Sequence, residues 1–290
     1  MFSKAVALAA GYTRPIIVSK RLENQEVSCG MGTFVVVNDQ GWILTAAHIV
    51  ADAILSQQHR KEREDYQKKV DEINANSLYS TGKKKNEINR LTRNWNWITH
   101  HSLWWAVDGI QFENIFSDSA TDLAIAKLIG PIDKLNVKNF PTFADPNKTL
   151  KQGTSLCRLG FPFYEVKALF DPATQQFSIP DLPQLATFPN DGIYTRGIQY
   201  VDKTTGSKTN FIETSSPGLR GQSGGPIFDV DGTIWALQSR TSHFPLGFSP
   251  TVKYKGKEVT EHQFLHVGWG VQIAHIREML DKYKVKYDAI

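Results

Sequence analysis

The segment Gly221-Gln222-Ser223-Gly224-Gly225-Pro226 constrains this chain more than any other. Two glycines and a proline directly after a serine suit neither a helix interior nor a paired strand. They suit a tight, exposed turn whose backbone N–H groups point one way. Serine is a weak nucleophile until a neighbouring imidazole takes its proton. On such a turn, the N–H groups of Gly221 and Ser223 are free to hold the oxyanion formed when the hydroxyl attacks a carbonyl. Taken alone, the hexapeptide also fits an ordinary glycine-rich loop, so the partners of Ser223 decide the matter.

Two further motifs supply them. Thr33 to Val37 and Trp42 to Thr45 read as strands joined by the turn Asn38-Asp39-Gln40-Gly41, the pattern of a hairpin. Thr45-Ala46-Ala47-His48 then places an imidazole just past the second strand, behind two small residues that let it turn toward a cleft. Asp122-Leu123-Ala124-Ile125-Ala126-Lys127-Leu128 opens an apolar, strand-like run with a carboxylate. A carboxylate there can accept the second ring N–H of an imidazole and fix its tautomer. Asp118 and Asp108 are its rivals along the chain.

The order His48, Asp122, Ser223 and these local contexts resemble the trypsin-like (chymotrypsin-fold) serine peptidases, in motif style closest to the bacterial HtrA-type domains. The likeness runs through Gly30-Met31-Gly32-Thr33-Phe34, TAAHIV at 45–50, DLAIAKL at 122–128, Leu159-Gly160-Phe161-Pro162 and GQSGGPIF at 221–228. It implies a mostly β fold of two six-stranded antiparallel Greek-key barrels. Residues 1–135 would carry His48 and Asp122, and residues 136–290 would carry Ser223. It further implies a serine endopeptidase in which His48, Asp122 and Ser223 are catalytic and the N–H groups of Gly221 and Ser223 form the oxyanion hole. Substrate backbone would pair with the strand ending in Gln238, Ser239, Arg240 and Thr241. Pro217 and Arg220 join these four as candidate substrate-binding residues. The segment 215–220 has no carboxylate, so a preference for Lys or Arg is unsupported; Arg220 and Arg240 are compatible with acidic substrates. Gln222 stands where secreted animal relatives carry an aspartate that pairs with a newly cut N-terminus, which argues against activation by that route.

Between His48 and Asp122 the chain is longer than the motifs require. Gln57 to Ile73 is charged, free of Gly and Pro and rich in helix formers, with Ile54, Tyr66, Val70 and Ile73 as an apolar stripe. Ser77 to Lys85 reads as a turn and Asn86 to Asn94 as a second short helix. A helical insertion over about 51–96 is therefore expected in the first barrel, bordering the cleft and gating access, alone or with a regulatory protein partner. Trp95, Trp97, Trp104 and Trp105 follow, either anchoring the insertion or offering a docking surface. Phe163 to Asp191 is a long connection. Near the C-terminus a closing helix is expected over about 271–285; no PDZ-like segment follows it.

Other classes fare worse. The net charge is +4, and Lys68-Lys69 and Lys83-Lys84-Lys85 read as solvated faces, with no stacking motif for nucleic acid. His100 and His101 are adjacent, unlike a helical metal pair, so neither metal nor cofactor is expected. No run is apolar enough to span a bilayer, and Ala5 to Ala10 is short for a secretory signal. With only two cysteines, Cys29 and Cys157, the composition points to a reducing, cytoplasmic setting rather than a disulfide-rich secreted one. Two readings stay open besides an active endopeptidase: a catalytically silent, protease-like binding module, and an enzyme latent until triggered.

Overall fold

Strand-forming residues with alternating burial dominate the chain, and in the computed structural model they assemble into two curled sheets. The structure describes residues 1–203 and 205–290. The first sheet is built from β1 (Thr13–Leu22), β2 (Val27–Val36), β3 (Trp42–Ala46), β4 (Ile98–Trp104), β5 (Gln111–Asp118) and β6 (Leu123–Ile129). Its order is β4-β1-β2-β3-β6-β5, antiparallel throughout. The β2–β3 turn closes as its sequence implies. Asn38 Oδ1 accepts from the N–H groups of Gln40 and Trp42, and Gly41 takes φ of +83°, a conformation that costs glycine nothing.

The second sheet contains β7 (Thr142–Phe143), β8 (Ser155–Gly160), β11 (Phe188–Val201), β12 (Lys208–Thr214), β13 (Pro226–Phe228), β14 (Ile234–Pro245), β17 (Phe264–Gln272) and β18 (Asp288–Ala289). Pairing of β13 with both β8 and β14 closes the ring β13-β8-β11-β12-β17-β14. These six strands form the second barrel, while β7 and β18 add parallel pairs at the edge. Two small hairpins, β9 (Leu169–Asp171) with β10 (Gln176–Ser178) and β15 (Thr251–Tyr254) with β16 (Lys257–Thr260), lie outside it. The long connection after Phe163 thus contains the first of these hairpins and the start of β11.

Alternation along the strands makes one core out of two sheets. Val35, Leu44, Leu123 and Ile125 face Phe143, Leu159, Phe228 and Leu237 of the second barrel in a single cluster. Ile16, Phe34, Ile43, Trp105 and Leu128 fill the first sheet's interior. Helix α1 (Ser3–Tyr12) packs on the shared cluster through Ala5 and Ala9, with Phe2 edge-on to Phe228. At the other end α4 (Ile273–Lys282) buries Ile273, Ile276, Met279 and Leu280, the i, i+3, i+7 stripe of an amphipathic helix.

The insertion differs from its sequence reading. Helix α2 (Ala47–Ala75) runs without a break for 29 residues, so it begins at the TAAH motif itself, with His48 in its first turn. The second helix, α3 (Thr81–Arg90), starts earlier than expected because Ser80 caps it by accepting from the Lys83 N–H. The buried side of α2 is Ala47, Val50, Ala53 and His59, not the expected aromatic and aliphatic stripe. Small residues let its first turns lie close to Ala124.

Farther along, the anchor is polar and aromatic. His59 Nδ1 accepts from the Ile98 N–H, Trp97 Nε1 donates to Glu62, and Tyr66 meets Trp97 edge-on at 5.7 Å. The four tryptophans therefore divide. Trp97 clamps α2, Trp105 is core against Phe34, Trp104 donates to Asp108, and Trp95 is 55% exposed beneath the Arg93 guanidinium. Trp97→Ala is expected to cost about 3–5 kcal/mol in chemical denaturation, as for a large core truncation, and Trp95→Ala to stay within about 0.5 kcal/mol. Equal losses at both positions would contradict this division.

Candidate active site

Register alone brings the imidazole to the carboxylate. Strands β3 and β6 pair with Thr45 opposite Ala124 and Ala46 opposite Leu123, so the residues just beyond, His48 and Asp122, meet at the sheet's end. The Ala47 N–H donates to the Asp122 carbonyl at 3.1 Å and the His48 N–H to Asp122 Oδ1 at 3.1 Å. His48 Nδ1 lies 3.0 Å from each carboxylate oxygen. This contact places the ring proton on Nδ1 and leaves the Nε2 lone pair directed away from Asp122. Asp122 holds φ of +56°, a left-handed backbone that aspartate tolerates better than most residues.

Ser239 on β14 completes the carboxylate's surroundings by donating from Oγ to Asp122 Oδ2. Burial alone would raise the Asp122 pKa. Hydrogen bonding and charge from His48, the Ser239 hydroxyl and the His48 backbone outweigh it, leaving the carboxyl below its ordinary range. Its rivals are engaged elsewhere. Asp118 accepts from Ala120 N–H and Thr121 Oγ1, and Asp108 from Trp104.

The serine turn is fixed by its neighbours' lack of side chains. A Cβ on Gly225 would sit 2.0 Å from the Leu159 carbonyl oxygen, and one on Gly224 would sit 2.2 Å from that of Thr33. Within the turn, Gln222 N–H donates to Leu219 O and Gly225 N–H to Gln222 O. Gly224 and Gly225 exchange hydrogen bonds with Gln238, each at 2.8 Å. The turn's carbonyls are also taken. Ser223 O accepts from Thr33 N–H at 2.9 Å, and Gly221 O from Thr33 Oγ1 at 2.7 Å. The N–H groups of Gly221 and Ser223, by contrast, donate to no acceptor among the described residues.

Gln222 is fully buried, with Oε1 accepting from Leu219 N–H and Nε2 donating to the Phe188 carbonyl. It braces the turn as a neutral residue and holds no ion pair.

Ser223, Pro217, Arg220, Gln238, Ser239, Arg240 and Thr241 line one cavity of about 490 Å³. All six candidate substrate residues are thus brought together, and Ser239 has a second task at Asp122. The sequence signal for that task was a hydroxyl on the strand after the nucleophile turn. His243 and His266, also at this cavity, carried no such signal. A second cavity of about 910 Å³ adjoins it and is lined by His48, Ile54, Leu55, Gln58, Ser117 and Arg240, among others. Ser239 and Arg240 border both, so the cavity that holds the imidazole and the one beside the serine turn share a wall. No hydrogen bond joins Ser223 to His48 among the described residues. These residues also gather no group of three or more His, Cys, Asp or Glu able to hold a metal ion.

Thr33 was legible as the start of a hairpin strand and as part of Gly30-Met31-Gly32-Thr33-Phe34, but not as a brace of the serine turn. Its backbone and hydroxyl both hold the serine turn, and Thr45 Oγ1 donates to its carbonyl at 2.7 Å. It links the first sheet to the turn of the second.

The family model of the trypsin-like peptidase domain matches residues 30–237. Among solved structures, the active form of the Rv3671c protease from M. tuberculosis is similar over 98% of this chain and 86% of its own, with a TM-score of 0.51 and 11% identity. The HtrA-type protease AlgW with a tripeptide gives a TM-score of 0.51 and 14% identity, over 98% of this chain and 64% of that one. An AlgW variant with a decapeptide is similar at a TM-score of 0.51 and 13% identity, over 98% of this chain and 68% of that one. At these identities the likeness establishes the fold. No curated protein matches the sequence.

The imidazole–carboxylate geometry has a direct signature. A proton held between His48 Nδ1 and Asp122 should give a strongly downfield resonance in the proton NMR spectrum in water. Asp122→Asn is expected to abolish it and Asp118→Asn to leave it in place; loss in the second variant would reassign the carboxylate.

Proposed function

The chain belongs to the trypsin-like peptidase family, and from that premise we propose a serine endopeptidase in which Ser223, His48 and Asp122 act as one relay. Ser223 Oγ attacks the scissile carbonyl while His48 Nε2 takes the hydroxyl proton. The N–H groups of Gly221 and Ser223 hold the resulting oxyanion. Collapse breaks the C–N bond, His48 returns its proton to the leaving amine, and an acyl-enzyme remains. Water then attacks the ester, again giving a proton to His48, and the carboxylic product leaves as Ser223 regains its hydrogen. Asp122 stays ionised and holds the imidazolium.

One observation carries this reading: beside a histidine held by a buried carboxylate, the serine turn keeps two backbone donors unengaged while its carbonyls are occupied. Proton transfer requires Ser223 Oγ within hydrogen-bond reach of Nε2, a contact that often tightens only when substrate binds.

The same proposal assigns His48 and Asp122 to residues 1–135 and Ser223 to residues 136–290. It places the protein in a reducing, cytoplasmic compartment, which the free thiols of Cys29 and Cys157 support. Protein or peptide is the substrate. The insertion enters through α2, whose Ile54 and Leu55 are partly exposed apolar groups in the cavity beside His48. There they control which extended chains reach the relay.

A fluorophosphonate probe should label Ser223 in the wild type and leave Ser223→Ala unlabelled, with Asp122→Asn lowering peptide turnover by about 10⁴. No adduct in the free protein or in the presence of cell extract would favour a silent binding module; labelling only in extract would mark a latent enzyme. The double variant Ile54→Ser/Leu55→Ser is expected to raise KM about tenfold for peptides long enough to fill the second cavity. Its kcat should change less than its KM, as for binding shared by ground and transition states.

A further inference from the structure

Arg158 is the least expected residue in the second barrel. It lies on β8 with 1% of its surface exposed, and no carboxylate pairs with it among the described residues. Burial draws its pKa down to about 10, which leaves it cationic at neutral pH. A buried unpaired charge is costly and is usually removed or matched by a partner. Its Nη2 donates to the Thr214 hydroxyl, while Nε and Nη1 find no acceptor. The nearest acid along the chain from Thr214, Glu213, is committed to Arg196, Thr195 and Trp269.

The guanidinium lies between Thr214 and Gly268, one strand away from a wall of the pocket beside Ser223. It fills the space a side chain on Gly268 would occupy, since a Cβ there would lie 2.2 Å from Nη1. Gly268 pairs across the sheet with Thr214 on one side and with Thr241, a wall of the cavity, on the other. The Thr214 hydroxyl reaches the Ser216 carbonyl at 3.1 Å, and Ser216 precedes the wall residues Pro217 and Gly218. Ser216 Oγ and Gln238 Oε1 are likewise buried without partners. Three of the six such side-chain atoms among the described residues, the two on Arg158 and the Ser216 hydroxyl, are donors on residues that adjoin this pocket's walls, whereas Gln238 Oε1 is an acceptor. Buried polar groups are rarely left unpaired unless something outside the fold pairs them.

The rim has the same sign. Arg240 borders the cavity with its guanidinium over the Tyr200 and Phe211 rings, at 5.3 and 5.0 Å. Arg220 is exposed at the edge, and His243 and His266 contribute imidazoles whose Nδ1 atoms lie 2.5 Å apart. Among the described residues, no aspartate or glutamate lines the cavity.

We propose that this pocket selects an acidic side chain, glutamate or aspartate, at the substrate residue whose carbonyl Ser223 attacks, with Arg158 beneath the floor as the main determinant and Arg240 and Arg220 as the cationic rim. The inference rests on the peptidase reading and specifies its substrate class. The carboxylate would accept from the unpaired guanidinium N–H groups and from Ser216, satisfying donors that the fold leaves idle.

The test is a series of peptides identical except at that position, carrying Glu, Asp, Gln, Leu or Lys, with kcat/KM measured on the wild-type protein. Glu or Asp is expected to exceed Gln, the uncharged isostere of Glu, by about 10²-fold or more, as when a buried charge gains or loses its partner. Arg158→Met should collapse the Glu-to-Gln ratio toward unity, and Arg240→Gln should reduce it in part. Cleavage with Gln, Leu or Lys equal to or above both acids overturns the proposal and leaves the peptidase reading standing, as does an unchanged ratio in a folded Arg158→Met. No cleavage of any peptide, with no adduct at Ser223, overturns both. The wild-type series needs no variant, so it decides the question even where Arg158→Met misfolds.

Discussion

A carboxylate with only a tenth of its side chain exposed must be encircled by donors to remain charged, and at Asp122 those donors come from both halves of the chain. The first sheet supplies the His48 backbone and ring, and β14 of the second barrel supplies the Ser239 hydroxyl. Each bond costs the barrels some freedom of relative placement, and together they leave one arrangement. Thr33 does the converse, since a residue of the first sheet holds the serine turn of the second. Two reciprocal ties, one in each direction, hold the imidazole and the serine turn at cavities that share Ser239 and Arg240. The mixed core around Val35, Leu44, Phe143 and Leu237 keeps those ties under packing pressure from both sides.

What the sequence revealed follows the range over which each physical rule acts. The β2–β3 hairpin, the strand opened by Asp122 and the glycine turn at 221–225 are local, set by turn chemistry and alternation, and they were readable residue by residue. The glycines at 224 and 225 were recognisable as a motif, but the reason for them was not. The Thr33 and Leu159 carbonyls that exclude a Cβ there lie far away in sequence. The same limit hid the second role of Ser239 and the position of Arg158, which in isolation is one polar residue within an apolar strand. Helix α2 was misread for a different reason. Its apolar positions suggested a stripe that starts beyond the histidine, whereas the packed face consists of Ala47, Val50 and Ala53, small residues that hydrophobic periodicity scarcely registers.

Beginning the helix at Ala47 has consequences for how the insertion relates to the groove. A helix of 29 residues rises about 43 Å, and only its first turns touch the sheet through apolar contacts. Beyond them, His59, Glu62 and Tyr66 clamp it to Ile98 and Trp97. Since His48 sits in the first turn, any tilt of α2 about that clamp moves the imidazole as well as the cavity wall at Ile54 and Leu55. The insertion is mechanically continuous with the segment that carries His48. That coupling explains why the clamp uses directional hydrogen bonds alongside packing: they resist sliding along the helix axis, which a smooth apolar contact tolerates.

The pocket beside Ser223 follows the opposite logic from the Asp122 site. At Asp122 every acceptor position meets a donor, and burial stabilises a charge within the fold. Around Arg158 the donors outnumber the acceptors, and the Ser216 hydroxyl adds to the excess. A chain selected for stability alone would fill such a strand position with an aliphatic residue, because an apolar core of the same volume is as stable or more so. Retaining a guanidinium there makes physical sense when its missing partner arrives from outside, and the neighbouring cavity, lined with cations and free of carboxylates, admits only one sign of charge without further cost. The unsatisfied group and the empty space beside it are thus two aspects of one feature, with the energy withheld from folding available to the bound chain.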